Sequence, residues 1–386
     1  MKKNLIALGL ALPASVFAGG FERDTQTPNY LFNDGRYAEF SFSTANPNVE
    51  GSVPLGPTTQ NSGDAISTYS NLSFAYKAPI NDKMDWSIAY LEPYGADVYY
   101  RNTDPLYTYN DSWAELGVRG LTALLKYKIG DRFSVYGGAK LSEFSADADV
   151  NVTISLDGVN PLRIIDYQVR TEKDRATGYV FGAAYEMKEI AMRVALTYNS
   201  EIEHESSVVE SATGVDVVGG TGPYNIPDTA NTVDTTLPQS VNLSFQTGIN
   251  PKTLLFGSVH WAEWSANEMN PPVYFQVTGG NKLVDHDDDT TTYRLGLGRR
   301  INDQVSLALI LGHEAANGEV SANLAPTDGF DSITLAGSFK HDEHATLRAG
   351  ISFIEIGDTT TNAAGQVASF ESNDAIGFGV TYSYKF

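Results

Sequence analysis

The sequence predicts an all-β fold: a 14-stranded antiparallel transmembrane β-barrel with a short N-terminal plug segment. Three observations carry this expectation. The chain opens with an export leader, contains no later apolar run of the roughly 20 residues that a membrane helix needs, and repeats segments of alternating polarity joined by connections that alternate between short and long.

The leader reads MKKNLIALGLALPASVFAGG, with Lys2 and Lys3 ahead of an apolar run from Leu5 to Leu12 and Val16-Phe17-Ala18 at the cleavage positions. Residues 1–18 are therefore expected to be a signal peptide, residues 19–34 a plug or hatch segment, and residues 35–386 the barrel. This places the protein in the outer membrane of a Gram-negative bacterium. There is no Cys, so an exported chain that could form disulfides makes none and relies on its sheet. The net charge of −21, from 47 acidic and 26 basic residues, excludes a nucleic-acid partner, which demands an excess of Lys and Arg.

The last segment shows the alternation best. Ile376, Phe378, Val380, Tyr382, Tyr384 and Phe386 fall on one face, with Gly377, Gly379, Thr381, Ser383 and Lys385 on the other. Similar patterns run through Val241–Gln246, Ile190–Tyr198 and Thr346–Phe353. A soluble sandwich would give such strands too, so the connections decide. Short turns fall at 79–82, 130–131, 188–189, 250–252, 302–303 and 341–344. Long loops fall near 47–66, 102–112, 146–163, 200–236, 266–289, 313–330 and 357–367. Thirteen strictly alternating connections imply fourteen strands with both termini on the short-turn side, as in outer-membrane barrels. Trp86, Tyr99, Tyr100, Trp113, Trp261 and Trp264 suit the interfacial girdles.

The stretch LEPYGADVYY, Leu91 to Tyr100, conflicts with a regular wall. Pro93 removes a ladder donor, and Glu92 continues the apparent lipid face of Trp86, Ile88 and Tyr90. Irregular backbone at membrane depth is tolerated only where it lines a cavity or is covered by protein. The strand is expected to leave the wall at Pro93, with Gly95 supplying the backbone freedom for a bend that takes Glu92 off the lipid face.

Here the chain resembles a family. APINDKMDWSIAYLEPYGADVYY (Ala78 to Tyr100), LPQSVNLSF from Leu237, WAEWSA from Trp261, YRLGLG from Tyr293 and the terminal aromatic pair Tyr384 and Phe386 are similar, in order, to long-chain fatty acid and hydrophobic-compound outer-membrane transporters of the FadL/TodX type. The resemblance implies a kinked third strand with a lateral portal at Glu92, Pro93, Tyr94 and Gly95. It also implies a plug built on Phe21, Tyr30 and Phe32, and recognition of Tyr384 and Phe386 by the barrel assembly machinery. The hatch of this chain is shorter than the family's. Val150 and Pro271 stand where the family places basic residues for a fatty-acid carboxylate, which leaves apolar molecules without a carboxylate open as ligands.

The expected function is an outer-membrane channel for passive uptake of hydrophobic small molecules with lateral release into the bilayer. The alternatives are a general porin with a water-filled lumen and an outer-membrane lipid hydrolase. The expected partners are the apolar substrate, lipopolysaccharide and outer-membrane lipid, and the assembly machinery, acting on a monomer. No cofactor, catalytic residue or metal site is expected. His341-Asp342-Glu343-His344 lies on a turn with no helix to present it, Asp285 to Asp289 reads as a hydrated acidic loop, and no Ser-His-Asp set stands out.

Overall fold

The computed structural model describes residues 21–386 apart from 102, 217–221, 319 and 364, so the expected signal peptide lies outside the described residues. Fourteen strands form the wall: β1 Tyr37–Asn48, β2 Tyr69–Pro79, β3 Met84–Tyr99, β4 Trp113–Ile129, β5 Phe133–Ile154, β6 Asp174–Met187, β7 Met192–Asn199, β8 Ser240–Asn250, β9 Thr253–Ala262, β10 Thr290–Arg300, β11 Val305–Glu314, β12 Phe330–Lys340, β13 Ala345–Ile356 and β14 Asn373–Lys385. Each pairs antiparallel with its sequence neighbours. β1 closes the ring on β14 from Tyr37↔Lys385 to Asn48↔Asp374. Among the described residues no helix is long and apolar enough to cross a membrane.

The period-2 pattern sets the register because one face must meet hydrocarbon. On β14, Ile376, Phe378 and Tyr382 point outward while Ala375, Thr381 and Ser383 are buried inside. The short turns are closed by polar side chains. Asn81, Asn302 and Asp342 each accept backbone N–H groups from the residues two and three ahead, the local bonding that lets Asn and Asp make turns.

Several stretches expected as loops carry strands. β5 runs on to Ile154 and pairs with Leu162–Thr171, and Ile202–Asp216 pairs antiparallel both with Gly222–Leu237 and with Leu162–Thr171. Above the membrane a strand needs no apolar face, so the alternation of buried His204, Ser206 and Val208 with exposed Glu203, Glu205 and Ser207 reads from sequence as a polar loop. The first, sixth and seventh long loops build a second, five-stranded sheet at the outer end. The first strand starts at Tyr37, two residues after the position expected. Beneath the loops lies an apolar interior containing Tyr94, Phe144, Tyr167, Leu237, Trp264 and Met269.

Candidate functional site: the seam between β2 and β3

β3 pairs with β4 along its whole length but shifts register between Leu91↔Gly120 and Tyr94↔Val118, so β3 carries one extra residue there. Such a bulge bends the strand and reverses which face its side chains meet. Asp85, Ser87 and Ala89 point inward before it; Tyr94, Ala96 and Val98 point inward after it. Pairing with β2 runs only from Pro79↔Asp85 to Phe74↔Tyr90, although β2 stays paired to β1 as far as Ala45↔Tyr69. The strand therefore does not leave the wall as a whole. It keeps β4 and parts from β2, because the bend aims its free edge away from that neighbour.

The parting frees donors that lipid cannot satisfy. Glu92 meets one of them: its carboxylate accepts the Leu72 backbone N–H at 3.0 Å and the Tyr90 hydroxyl at 3.0 Å, with Arg119 Nε 3.9 Å away. A residue that would be penalised facing hydrocarbon instead caps the open end of the β2 ladder.

The N-terminal segment fills the rest of the gap. Glu22 bridges antiparallel to Tyr94, the Arg23 and Asp24 N–H groups donate to the Pro93 carbonyl at 2.7 and 3.2 Å, and the Gly95 N–H donates to Phe21 O at 2.9 Å. Higher up, the first outer loop takes over, with Ser67 N–H donating to Asp97 O at 2.9 Å and Tyr99 N–H to Ala65 O at 2.8 Å.

Arg23 stands in the window. Its Nη2 donates to Asp97 Oδ2 on β3 at 2.7 Å and its guanidinium lies 4.4 Å from the centre of the Tyr69 ring on β2. A Cβ at Gly95 would come within 2.5 Å of Arg23 Cζ, and Gly95 is not among the glycines with positive φ. Gly95 thus makes room for a side chain and does not supply the bend, which comes from the extra residue next to Pro93.

Two residues from Arg23, Phe21 is buried in the apolar chamber, edge-on to Trp264 (5.9 Å, 89°) and to His286 (5.2 Å, 75°). Burial pushes the His286 imidazole, on the outer loop, down to about 4, so this neighbour is neutral. Farther down, Tyr30 and Leu31 are buried, and Phe32 lies between Lys126 Nζ (4.2 Å) and the Arg193 guanidinium (4.4 Å).

The rest of the segment is held by polar groups of the wall. Glu22 Oε2 lies 2.9 Å from His260 Nε2, Gln26 Nε2 donates to the Tyr94 hydroxyl at 2.8 Å, and Lys77 Nζ donates to the Asn33 and Gly35 carbonyls at 2.9 and 3.0 Å. A cavity of about 100 Å³ between the N-terminal segment and the wall reaches Ser73, Phe74 and Leu91 at the seam. Arg23 and the inward wall residues His260 and Lys77 are the participants that sequence reading missed. The available signal was parity, since Lys77 falls on the face opposite Phe74 and Tyr76, the inward one.

The other sequence candidates fall elsewhere. Val150 is buried in the chamber opposite Tyr167, and Pro271 precedes the short helix Pro272–Val277, so neither position carries a charge toward the chamber. Tyr384 and Phe386 pack edge-on at 4.9 Å at the periplasmic end, where Phe386 is 63% exposed. His344 Nδ1 contacts the Lys385 carbonyl at 2.6 Å, and among the described residues no three His, Cys, Asp or Glu side chains gather to hold a metal.

One constellation was not anticipated. His204 places Nδ1 2.7 Å from Asp174 Oδ2 and Nε2 3.0 Å from Ser142 Oγ. The order matches a nucleophile, base and orienting acid. Ser142 and His204 are each 1% exposed, however, so an ester would reach the hydroxyl only if the strand Ile202–Asp216 parted from the wall. The set ties β5, β6 and that strand together.

Comparison with known proteins identifies the architecture. The profile of the family described as outer membrane protein transport protein (OMPP1/FadL/TodX) matches residues 33–386. Among solved structures, a Pseudomonas aeruginosa FadL homologue superposes with a TM-score of 0.74 at 16% identity, over 97% of this chain and 96% of that one. The Pseudomonas putida toluene transporter TodX gives 0.65 at 12% identity over 97% and 99%, and a TodX mutant described as a monoaromatic hydrocarbon channel gives 0.68 at 12% over 97% and 100%. At these identities the superpositions show the fold. No curated protein matches the sequence. The family match spans the whole barrel, and the chain belongs to the OMPP1/FadL/TodX family of outer-membrane transport proteins.

Proposed function

We propose that the protein is a passive channel for apolar small molecules, which enter the chamber beneath the outer loops and leave sideways between β2 and β3. The observation that carries this reading is that the seam is closed by the N-terminal segment in place of a strand ladder. Phe21 and Arg23 are two residues apart, one in the chamber and one in the window. An apolar guest that takes the place of the Phe21 ring draws the segment off Tyr94 and withdraws Arg23. Burial of apolar surface at about 25 cal/mol per Å² drives entry, and transfer into hydrocarbon is downhill. Toluene, the cargo in the name of the TodX relative, and long-chain fatty acids are both candidates. Uncharged Val150 and Pro271 favour the former. We further propose that Tyr384 and Phe386 serve assembly and that the barrel works as a monomer.

The reading is tested by a disulfide between Glu22→Cys and Tyr94→Cys, a bridged pair in a chain with no native Cys. Uptake of toluene and of a long-chain fatty acid by intact cells is measured side by side. Cross-linked barrels are expected to fall to the level of cells lacking the protein and to recover on reduction. Full uptake through completely cross-linked barrels would end the lateral route.

A further inference from the structure

On the outer surface, one row of side chains crosses three strands: Arg119 on β4 stands opposite Glu143 on β5, and Glu143 opposite Arg175 on β6. Glu143 accepts from Lys173 Nζ at 3.1 Å and from Arg175 Nε and Nη2 at 2.9 and 2.7 Å. The cations remain open, with 59% of the Arg119 side chain exposed, 58% of Lys173 and 69% of Arg175. Below them the lipid face continues through Leu121, Leu141 and Tyr179.

Depth and charge say what such a cluster meets. From Ile129, at the periplasmic end of β4, to Arg119 is ten residues, or about 24 Å of height at a rise near 3.4 Å and a tilt near 45°. That is the height of the apolar band, so the cluster lies at the level of the outer-leaflet headgroups. The chain carries −21 overall, and in the long outer loops after Arg175 the only Lys or Arg is Lys282, which is engaged by Glu268 and Asp285. Positive charge at the outer rim is concentrated on the β3–β6 sector.

We propose that Lys173 and Arg175, organised by Glu143, together with Arg119, whose guanidinium lies 3.9 Å from Glu92, bind a phosphate of the phosphorylated, multiply acylated glycolipid of the outer leaflet, whose chains lie along Leu121, Leu141 and Tyr179. Guanidinium groups suit phosphate because their planar donors match its oxygens, and each cation near a charged leaflet contributes appreciably. Through Glu92 the site adjoins the seam, but phosphate binding there does not depend on which molecule the channel carries.

The full-length protein in detergent is titrated with bis-phosphorylated lipid A, with the same lipid stripped of both phosphates, and with inorganic phosphate. The wild-type protein is expected to prefer the phosphorylated lipid by at least about tenfold, and Arg119→Gln/Lys173→Gln/Arg175→Gln to lose that preference. Equal affinity for the two lipids, which needs no variant to observe, would overturn the proposal. So would a triple variant that keeps the preference, or inorganic phosphate that displaces the lipid at equal concentration.

Discussion

The wall from β10 to β14 and the seam between β2 and β3 face the same solvent problem and solve it differently. β12 and β13 share an unbroken ladder from Phe330↔Ile356 to Lys340↔Thr346, so each strand satisfies the other. β2 and β3 share six pairs, after which the donors and acceptors of the seam are met by the Glu92 side chain, the backbone of Phe21–Asp24 and the first outer loop. A ladder is cooperative and fixed. Contacts with a terminal segment can be exchanged one by one for a guest or for water. Irregular backbone is thus confined to the place where other protein groups stand ready to meet it.

The comparison breaks most visibly if a proline is placed in the regular half. Leu309 on β11 pairs with Leu297 and with Leu335 and faces lipid. Leu309→Pro removes a ladder donor from a strand paired on both sides, at a cost of about 3 kcal/mol or more. Folding into liposomes, read by heat-modifiable gel mobility, is expected to lose most of the folded band. Pro93→Val, at a seam already closed by other means, serves as the control that folds.

A smaller effect is expected at the window. In Gly95→Ala the new methyl group meets the mobile end of Arg23, so the barrel holds while the guanidinium is displaced from Asp97 and Tyr69. Loss of about 1 kcal/mol of ion-pair and cation–π attraction gives a roughly fivefold rise in the open population. Trypsin cleavage after Arg23 reads it directly. Unchanged cleavage would mean that Arg23 does not hold the segment in place.

How much of this was legible follows from what the membrane demands of each residue. Strand number, turns and the irregularity at Pro93 could be read because lipid forces an apolar face and penalises a missing donor. The strands Ile202–Asp216 and Gly222–Leu237 could not, since above the membrane the inward face mixes Ile202 and Val208 with His204 and Ser206 and no continuous apolar face marks them. Ser142, Asp174 and His204 carry no spacing that predicts their meeting, because they come from three strands joined only by barrel geometry. The role of Gly95 was misread for a related reason. A glycine beside a proline suggests a bend, while the need for space arises from Arg23, 72 residues earlier in the chain, whose position depends on the closed ring.

The smallest predicted effect concerns the other end of the segment. His286 is buried against Phe21 and Trp264, with its pKa lowered to about 4 by burial despite the opposing pull of Asp285. In an opened chamber the imidazole regains its ordinary value of 6.5. Through this group the open form binds more protons than the closed one below pH 6.5, so His286 favours opening in acid, with an effect that begins near pH 6.5 and is complete by about pH 4. Asp24 acts the other way: burial raises its carboxyl to about 6 in the closed form, so its protonation favours closure over the same window. The His286 contribution is therefore read as a difference, with trypsin cleavage after Arg23 measured in wild type and in His286→Phe, which keeps a ring beside Phe21 but cannot titrate. As pH falls, the wild type is expected to gain cleavage relative to the variant, by less than tenfold per unit. If the variant keeps the same slope, the coupling between chamber and window runs through another group.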